Sequence, residues 1–312
     1  MRKLTIVALF AAMLSSCTVT TTPDLYSQVS TAEEAGLDLR CLTDEDVSVI
    51  GSGKYANRNL VISQDGANLV HLSKIDGKSV AVSRQLASPQ VGTQRTFRAT
   101  STIWWGADNN LYFGDNSYNA HRPICSVSAT TGTLMRQHTS GGNDYNPVLS
   151  KDKKRLLFTR NINGGNSIWY YDTTNTSLSL CCSGHSPYPI DATGKTILCV
   201  RDGAVWMIDY EKGQESLVCS SKDVRYSHPS ISPNGEWILM QGTRSDASGY
   251  GYETDLYVIK VDGTELTQLT FHPAYDENPV WSKDGRRIYF ISSRGNASGK
   301  YNIWSMAFPY AK

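Results

Sequence analysis

The chain carries almost no excess charge, no second long apolar run and none of the short signatures of the common catalytic folds. Its 312 residues hold 30 basic and 29 acidic side chains, so the clustered Lys and Arg that draw nucleic acid or anionic lipid are missing. No stretch after residue 16 is apolar enough to cross a bilayer. A serine nucleophile on a GxSxG elbow is absent, as are an HExxH or HxH metal pair and the CxxC spacing of thiol redox and zinc sites. What remains is a chain rich in Ser, Thr, Asn, Tyr and Gly, 10% aromatic, which suits strands and turns better than helices.

The one strongly apolar run is at the start. Arg2 and Lys3 precede Leu4 to Leu14, too short to span a membrane and of the right length for a signal peptide. The run ends in Leu14-Ser15-Ser16-Cys17, which resembles the lipobox of bacterial lipoproteins. That resemblance implies removal of residues 1–16 and lipidation of Cys17. It also implies sorting to the outer membrane, because Thr18 stands where an aspartate would retain the protein in the inner one. Loss of residues 1–16 removes Arg2 and Lys3, leaving 28 basic against 29 acidic residues; membrane contact is then expected from acyl chains rather than from charge. Residues 17–36, rich in Thr, Ser, Pro and Glu without alternation, read as a lipidated tether.

From about residue 37 a theme recurs: an apolar strand, a tight polar turn and a second apolar strand. It reads STIWWGADNNLYF from Ser101, NPVLSKDKKRLLF from Asn146, YPIDATGKTILCV from Tyr188, HPSISPNGEWILM from His228 and NPVWSKDGRRIYF from Asn278. The turn residues Asp108, Asp152, Thr193, Asn234 and Asp284 are 44, 41, 41 and 50 positions apart. Each unit continues into a second pair of strands, as in DLYVIKV, Asp262-Gly263 and ELTQLTF, where Asp-Gly suits a hairpin turn. Four short strands at this period predict an all-β, six-bladed β-propeller of four-stranded antiparallel blades over residues 37–312. The last unit lacks a fourth strand, and DLRCLTDEDVSVI (Asp38 to Ile50) resembles ELTQLTF with the following strand. Leu37 to Leu42 is therefore expected to pair with the final blade, leaving the ring closed by an N-terminal strand. Blade one is expected to use Val47–Ile50, Asn59–Ser63, Asn68–Lys74 and Ser79–Arg84, with its first turn near Gly53.

The units YSHPSISPNGEWILMQGTR and NPVWSKDGRRIYFISSRG, with DLYVIKVDGTELTQLT and YNIWSMAF, resemble the WD40-like repeat called PD40, found in the periplasmic protein TolB and in prolyl-oligopeptidase-type peptidases. The likeness is fullest over residues 222–308. It implies a TolB-like propeller; the peptidases' hydrolase domain has no counterpart here.

In this strand order the long loops share one rim and the tight turns the other, so binding is expected on the long-loop rim. Its candidates for a partner are Asp144, Tyr145, Tyr188, Tyr226, His228, Arg244, Tyr275, Asp276 and Arg294, a set rich in the Tyr and Arg that anchor interfaces. Arg160, Arg201, Arg244 and Arg294 each follow the second strand of a unit, either as donors for an acidic ligand or as rim clamps paired with carboxylates such as Asp144 and Asp276. His185, His228 and His272 precede first strands of consecutive blades and are the candidate metal ligands, as in oligogalacturonate lyases similar to TolB; no metal or other cofactor is expected. Asp276 and Glu277 are adjacent acids expected to face solvent. Cys41, Cys125, Cys181, Cys182, Cys199 and Cys219 read as buried thiols or as disulfides of an exported protein, and the sequence does not choose among pairings.

The expected function is a non-catalytic, lipid-anchored module of the bacterial cell envelope, facing the periplasm and binding an envelope protein or a glycan as a monomer. No nucleic-acid partner is expected. The alternative is a polysaccharide lyase or hydrolase using the histidine cluster.

Overall fold

The recurring turn forms because a serine closes the first strand and an Asp or Asn follows two residues later. Ser150, Ser232 and Ser282 each donate through Oγ to Asp152, Asn234 and Asp284 at 2.6 Å. Each serine oxygen then accepts from the first N–H of the next strand, Arg155, Trp237 and Arg287, at 2.9–3.0 Å. The next residue is left-handed: Gly235 at φ 76°, Gly285 at 70° and, against its preference, Lys153 at 65°. In blade four Asp191 takes the serine's place and accepts from both the N–H and the hydroxyl of Thr193 at 2.6 Å.

A computed structural model describes residues 28–43, 60–75, 78–95, 102–115, 121–133, 135–245, 252–295 and 301–311. Cys17 and the strand expected at Val47–Ile50 lie outside these residues. Strand β1 (Arg40–Cys41) comes first in the chain. Blade one follows with β2 (Leu60–Ile62), β3 (Asn68–Ile75), β4 (Lys78–Gln85) and β5 (Gly92–Arg95), and blade two with β6 (Ile103–Trp105), β7 (Asn110–Gly114), β8 (Ile124–Ser128) and β9 (Arg136–Gln137). Blade three holds β10 (Asn143–Leu149), β11 (Arg155–Ile162), β12 (Gly165–Asp172) and β13 (Leu178–Ser183). Blade four holds β14 (His185–Pro189), β15 (Thr196–Arg201), β16 (Ala204–Asp209) and β17 (Gln214–Cys219). Blade five holds β18 (Arg225–Ile231), β19 (Trp237–Ser245), β20 (Tyr252–Lys260) and β21 (Thr267–Gln268). Blade six is β22 (Asp276–Trp281), β23 (Arg287–Ser292) and β24 (Asn302–Ala307), with β1 as its outermost strand. All pairings within the blades are antiparallel, and the described residues contain no helix.

Six hydrophobic clusters sit one at each interface between neighbouring blades. Blades one and two meet at Val70, Leu72, Trp105 and Phe113, two and three at Tyr112, Leu149 and Phe158, and three and four at Leu157, Ile168, Ile197 and Cys199. Blades four and five share Leu198, Ile238 and Met240, five and six Leu239, Trp281 and Phe290, and six and one Ile291, Ile303, Leu60 and Leu69. The sixth cluster makes this a ring rather than an open stack. Sheets covered on both faces also explain why second strands contain unbroken apolar runs such as LLF and ILCV.

Strand β1 pairs Arg40 with Ser305 and Cys41 with Trp304. Just beyond it, the Thr43 hydroxyl accepts from Ile303 N–H at 3.0 Å, as Thr270 accepts from Leu256 and Thr139 from Ile124 after the outer strands of blades five and two. Thr43 and Thr270 are the threonines that the sequence places in register.

Two expectations need correction. Blade one turns at Ser63 and Asp65, whose side chains hydrogen-bond while Asn68 N–H donates to Ser63 at 2.9 Å. Its expected second, third and fourth strands are therefore its first, second and third. The part of the tether from residue 28 onward also lies against the propeller. Gln28 C=O accepts from Gly295 N–H at 2.9 Å, Glu34 accepts from Phe271 N–H at 2.9 Å, and Leu37 C=O accepts from Ala307 N–H at 2.6 Å.

Candidate functional site

The long-loop rim begins where the innermost strands enter the ring. In blades three to six those strands carry a bulge at an X-Pro step: Asn146-Pro147, Ser186-Pro187, His228-Pro229 and Asn278-Pro279. The residue before each proline is left-handed, at φ 51–56°, and proline needs no ladder partner at such a step. In blades three, four and six the bulge N–H is held by the preceding blade: Asn146 donates to Thr102 Oγ1 at 2.9 Å, Ser186 to Thr159 Oγ1 at 3.1 Å and Asn278 to Gln241 Oε1 at 3.0 Å. Asn146 Nδ2 adds a bond to Ser186 Oγ at 3.2 Å. This inner edge is stitched blade to blade.

The four repeat arginines are all paired. Arg160 grips Asp144 with both arms at 2.7 and 2.8 Å, and Thr139 donates to the same carboxylate at 2.6 Å. Arg201 holds Glu215 at 2.6 and 2.8 Å and lies over Trp206. Arg244 donates to Tyr257 at 2.6 Å and to Gln268 at 3.1 Å, leaving about a third of its side chain exposed. Arg294 is fully buried. It bonds Asp276, donates to Glu34 at 3.1 and 3.0 Å and to Val29 C=O at 3.1 Å. Of the two roles open from sequence, clamping the rim is the one these contacts perform.

Glu34 is the residue that sequence reasoning missed. Burial works to raise its carboxyl, but the Arg294 hydrogen bonds and charge, with the N–H groups of Phe271 and Thr31, hold it below the usual range. A T-x-x-E signature at Thr31 and Glu34 marked a local turn, and Thr31 N–H does donate to Glu34 at 3.0 Å; nothing local marked its distant arginine.

Asp276 and Glu277 are buried, correcting the expectation that they face solvent. Burial first, then the Asp276 charge, pushes Glu277 up to about 7 and Asp255 up to about 8. His272 has both ring nitrogens engaged: Nε2 with Gln28 C=O at 3.0 Å and Nδ1 accepting from Ala274 N–H at 3.0 Å. His185 Nδ1 meets Ser186 Oγ at 3.0 Å, and burial, then Arg225, lowers its pKa to about 4. Among the described residues no group of three or more His, Cys, Asp or Glu could hold a metal.

Of the expected partner residues, Asp144, Tyr226, His228, Asp276 and Arg294 are enclosed. They are corrected from contact residues to structural ones, because neighbouring strands and the N-terminal segment cover them. Tyr226, for example, packs edge-on against Tyr257 with ring centroids 5.6 Å apart. Tyr188 is half-buried and meets Trp104 edge-on at 5.7 Å, a contact between innermost strands of blades four and two that crosses the inner edge of blade three. Tyr145 and Arg244 stay partly open. Tyr275 is 37% exposed, and beside it in the chain Phe271 is 41% exposed. Ile162, at the tip of the β11–β12 hairpin on the same rim, is exposed as well. Neither Phe271 nor Ile162 was expected, since each continues the apolar pattern of a strand.

No family model matches the chain, and no curated protein sequence does. Solved structures do. TolB from Acinetobacter baumannii is 16% identical, with TM-score 0.56, over 81% of this chain and 64% of that one. An oligogalacturonate lyase from Vibrio parahaemolyticus is 12% identical, with TM-score 0.56, over 88% and 98%. A gluconolactonase from Xanthomonas campestris is 14% identical, with TM-score 0.61, over 90% and 94%. At these identities the likeness is one of fold, and the three descriptions differ in function.

Proposed function

We propose that this chain is a lipid-anchored propeller of the bacterial cell envelope that binds a partner protein, or a glycan, on its long-loop rim without catalysis. The observation that carries the reading is the division of labour on that rim. Its buried charges are consumed in internal clamps, Arg160 with Asp144 and Arg294 with Asp276 and Glu34, while Tyr275, Phe271 and Ile162 are exposed and Tyr145 and Arg244 partly so. A rigid rim of aromatic and cationic side chains loses little entropy on docking. The TolB likeness is in keeping with an envelope setting, and Cys17 is the residue that would carry the acyl chains.

The test is affinity purification of the full-length protein from detergent-solubilised envelopes, alongside a variant with Tyr145→Ala, Tyr275→Ala and Arg244→Ala. A specific partner lost from the variant at unchanged melting temperature supports the reading, and identical recovery of every co-purifying component sinks it. Cys17→Ala should move the protein from the membrane to the soluble fraction.

A second reading, a glycan lyase or hydrolase, draws on Asp255 and Glu277, whose raised pKa values would keep a carboxyl protonated near neutral pH as a general acid requires. Its signature would be polysaccharide cleavage that disappears in Glu277→Gln while the fold persists.

A further inference from the structure

We propose that Cys182 and Cys199 form a disulfide that joins blades three and four. Cys182 lies on β13, the outermost strand of blade three, and Cys199 on β15 of blade four. A register shift in β13 sets Leu180 opposite Trp169 and Cys182 opposite Ile168, leaving Cys181 as the inserted residue. The bulge turns Cys181 and Cys182 together onto the cluster of Leu157, Ile168, Ile197, Cys199 and Ile208. There Cys182 packs against the interface that holds Cys199, and each thiol perturbs the ionisation of the other.

The remaining thiols are elsewhere. Cys125 is in the interface of blades one and two. Cys219 is in that of blades four and five, donating to Met240 Sδ at 3.8 Å. Cys41 is exposed on the outer strand of blade six. The many pairings open to the sequence reduce to this one, with Cys181 as the competitor.

The two thiols are also unequal in the way a disulfide exchange needs. The neighbouring Cys199 thiol, aided by Arg201 against the cost of burial, holds Cys182 below the usual thiol range. The neighbouring Cys182 and burial keep the proton on Cys199. Cys182 thiolate attacks one sulfur of a small-molecule disulfide and forms a mixed disulfide, releasing the other half as a thiolate. Cys199 gives its proton to that departing thiolate and attacks Cys182 Sγ, expelling the second half, which takes a proton from water. Two protein thiols become one S–S bond, and one external disulfide is reduced to two thiols. The S–S bond that forms is about 2.05 Å long. The exported location proposed above would supply such an oxidant, but the test does not depend on it.

The full-length protein, purified unreduced, is incubated with oxidised glutathione, alkylated in denaturant, digested and analysed by mass spectrometry, with melting curves before and after dithiothreitol. The expected product is a Cys182–Cys199 linked peptide pair that has lost two hydrogens, with a melting temperature that falls on reduction. Cys182→Ser and Cys199→Ser should each abolish the linked pair and the reduction-dependent melting shift, and Cys181→Ser should keep both. Full alkylation of Cys182 and Cys199 after oxidation, a link through Cys181, or a glutathione adduct on Cys182 that never resolves would overturn the proposal.

Discussion

The two faces of the ring are built by different means. On the tight-turn face each turn holds itself: Ser282 and Asp284 are two residues apart, and the strand N–H that completes the turn is Arg287. On the long-loop rim the carboxylate clamps join different strands, and some partners come from far along the chain. Arg294 and Glu34 are 260 residues apart, and the N–H of Asn146 is held by Thr102. The same repeat thus carries one face as a local motif and leaves the other to be fastened by whatever the neighbouring blade or the N-terminal segment brings to it.

If that contrast is right, rim clamps should matter most. Arg294→Met keeps much of the side chain's volume but leaves Asp276 and Glu34 buried without their cation, and should cost about 3–5 kcal/mol in urea unfolding. Arg160→Met, whose Asp144 partner is buried while the arginine is slightly exposed, should cost about 2–3 kcal/mol. Losses under about 1 kcal/mol for both would erase the distinction between the faces.

The rim should also carry the pH dependence above neutrality. Asp255 and Glu277 have folded pKa values raised to about 8 and about 7. The folded state therefore keeps protons that the unfolded chain has already released, and their stabilisation is lost as pH rises through those values. The melting temperature should fall between about pH 6.5 and 8.5, and Asp255→Asn with Glu277→Gln should flatten that fall. Below about pH 6.5 the buried histidines act in the opposite sense. His185, lowered to about 4, and His71, lowered to about 3, must stay neutral in the fold while the unfolded chain takes up protons. A melting temperature that rises from pH 6.5 to 8.5 would contradict the burial of the two acids.

Turn-face changes should be smaller and equal from blade to blade. Asp152→Ala and Asp284→Ala each remove one Asx turn and should cost about 1 kcal/mol. The smallest effect expected is a gain: Lys153→Gly relieves a left-handed lysine and should add about 0.5–1 kcal/mol.

The same division explains what could be read from the sequence. Five turns were legible because Asp108, Asp152, Thr193, Asn234 and Asp284 act within a few residues of themselves. Blade one was displaced because the apolar run Val47–Ile50 looked like a first strand. The motif SQDGANLV at Ser63 carries the same serine and aspartate as the other turns, and its Asp65 falls 43 positions before Asp108, which fits the repeat better than Gly53. The arginines were legible as a repeated position, but their partners were not, since a carboxylate such as Glu34 gives no sign of the strand it will meet. Burial of Tyr226 and Asp276 was hidden for the same reason: each is covered by chain that the sequence places elsewhere.

The central claim is that the rim, and not the turn face, meets the partner. Photo-crosslinking from an aryl-ketone residue placed at Tyr275 on the rim, and separately at the exposed Asn234 on the turn face, tests it in intact envelopes. The account predicts a discrete crosslinked species from position 275 and none from position 234; a species from 234 alone would contradict it.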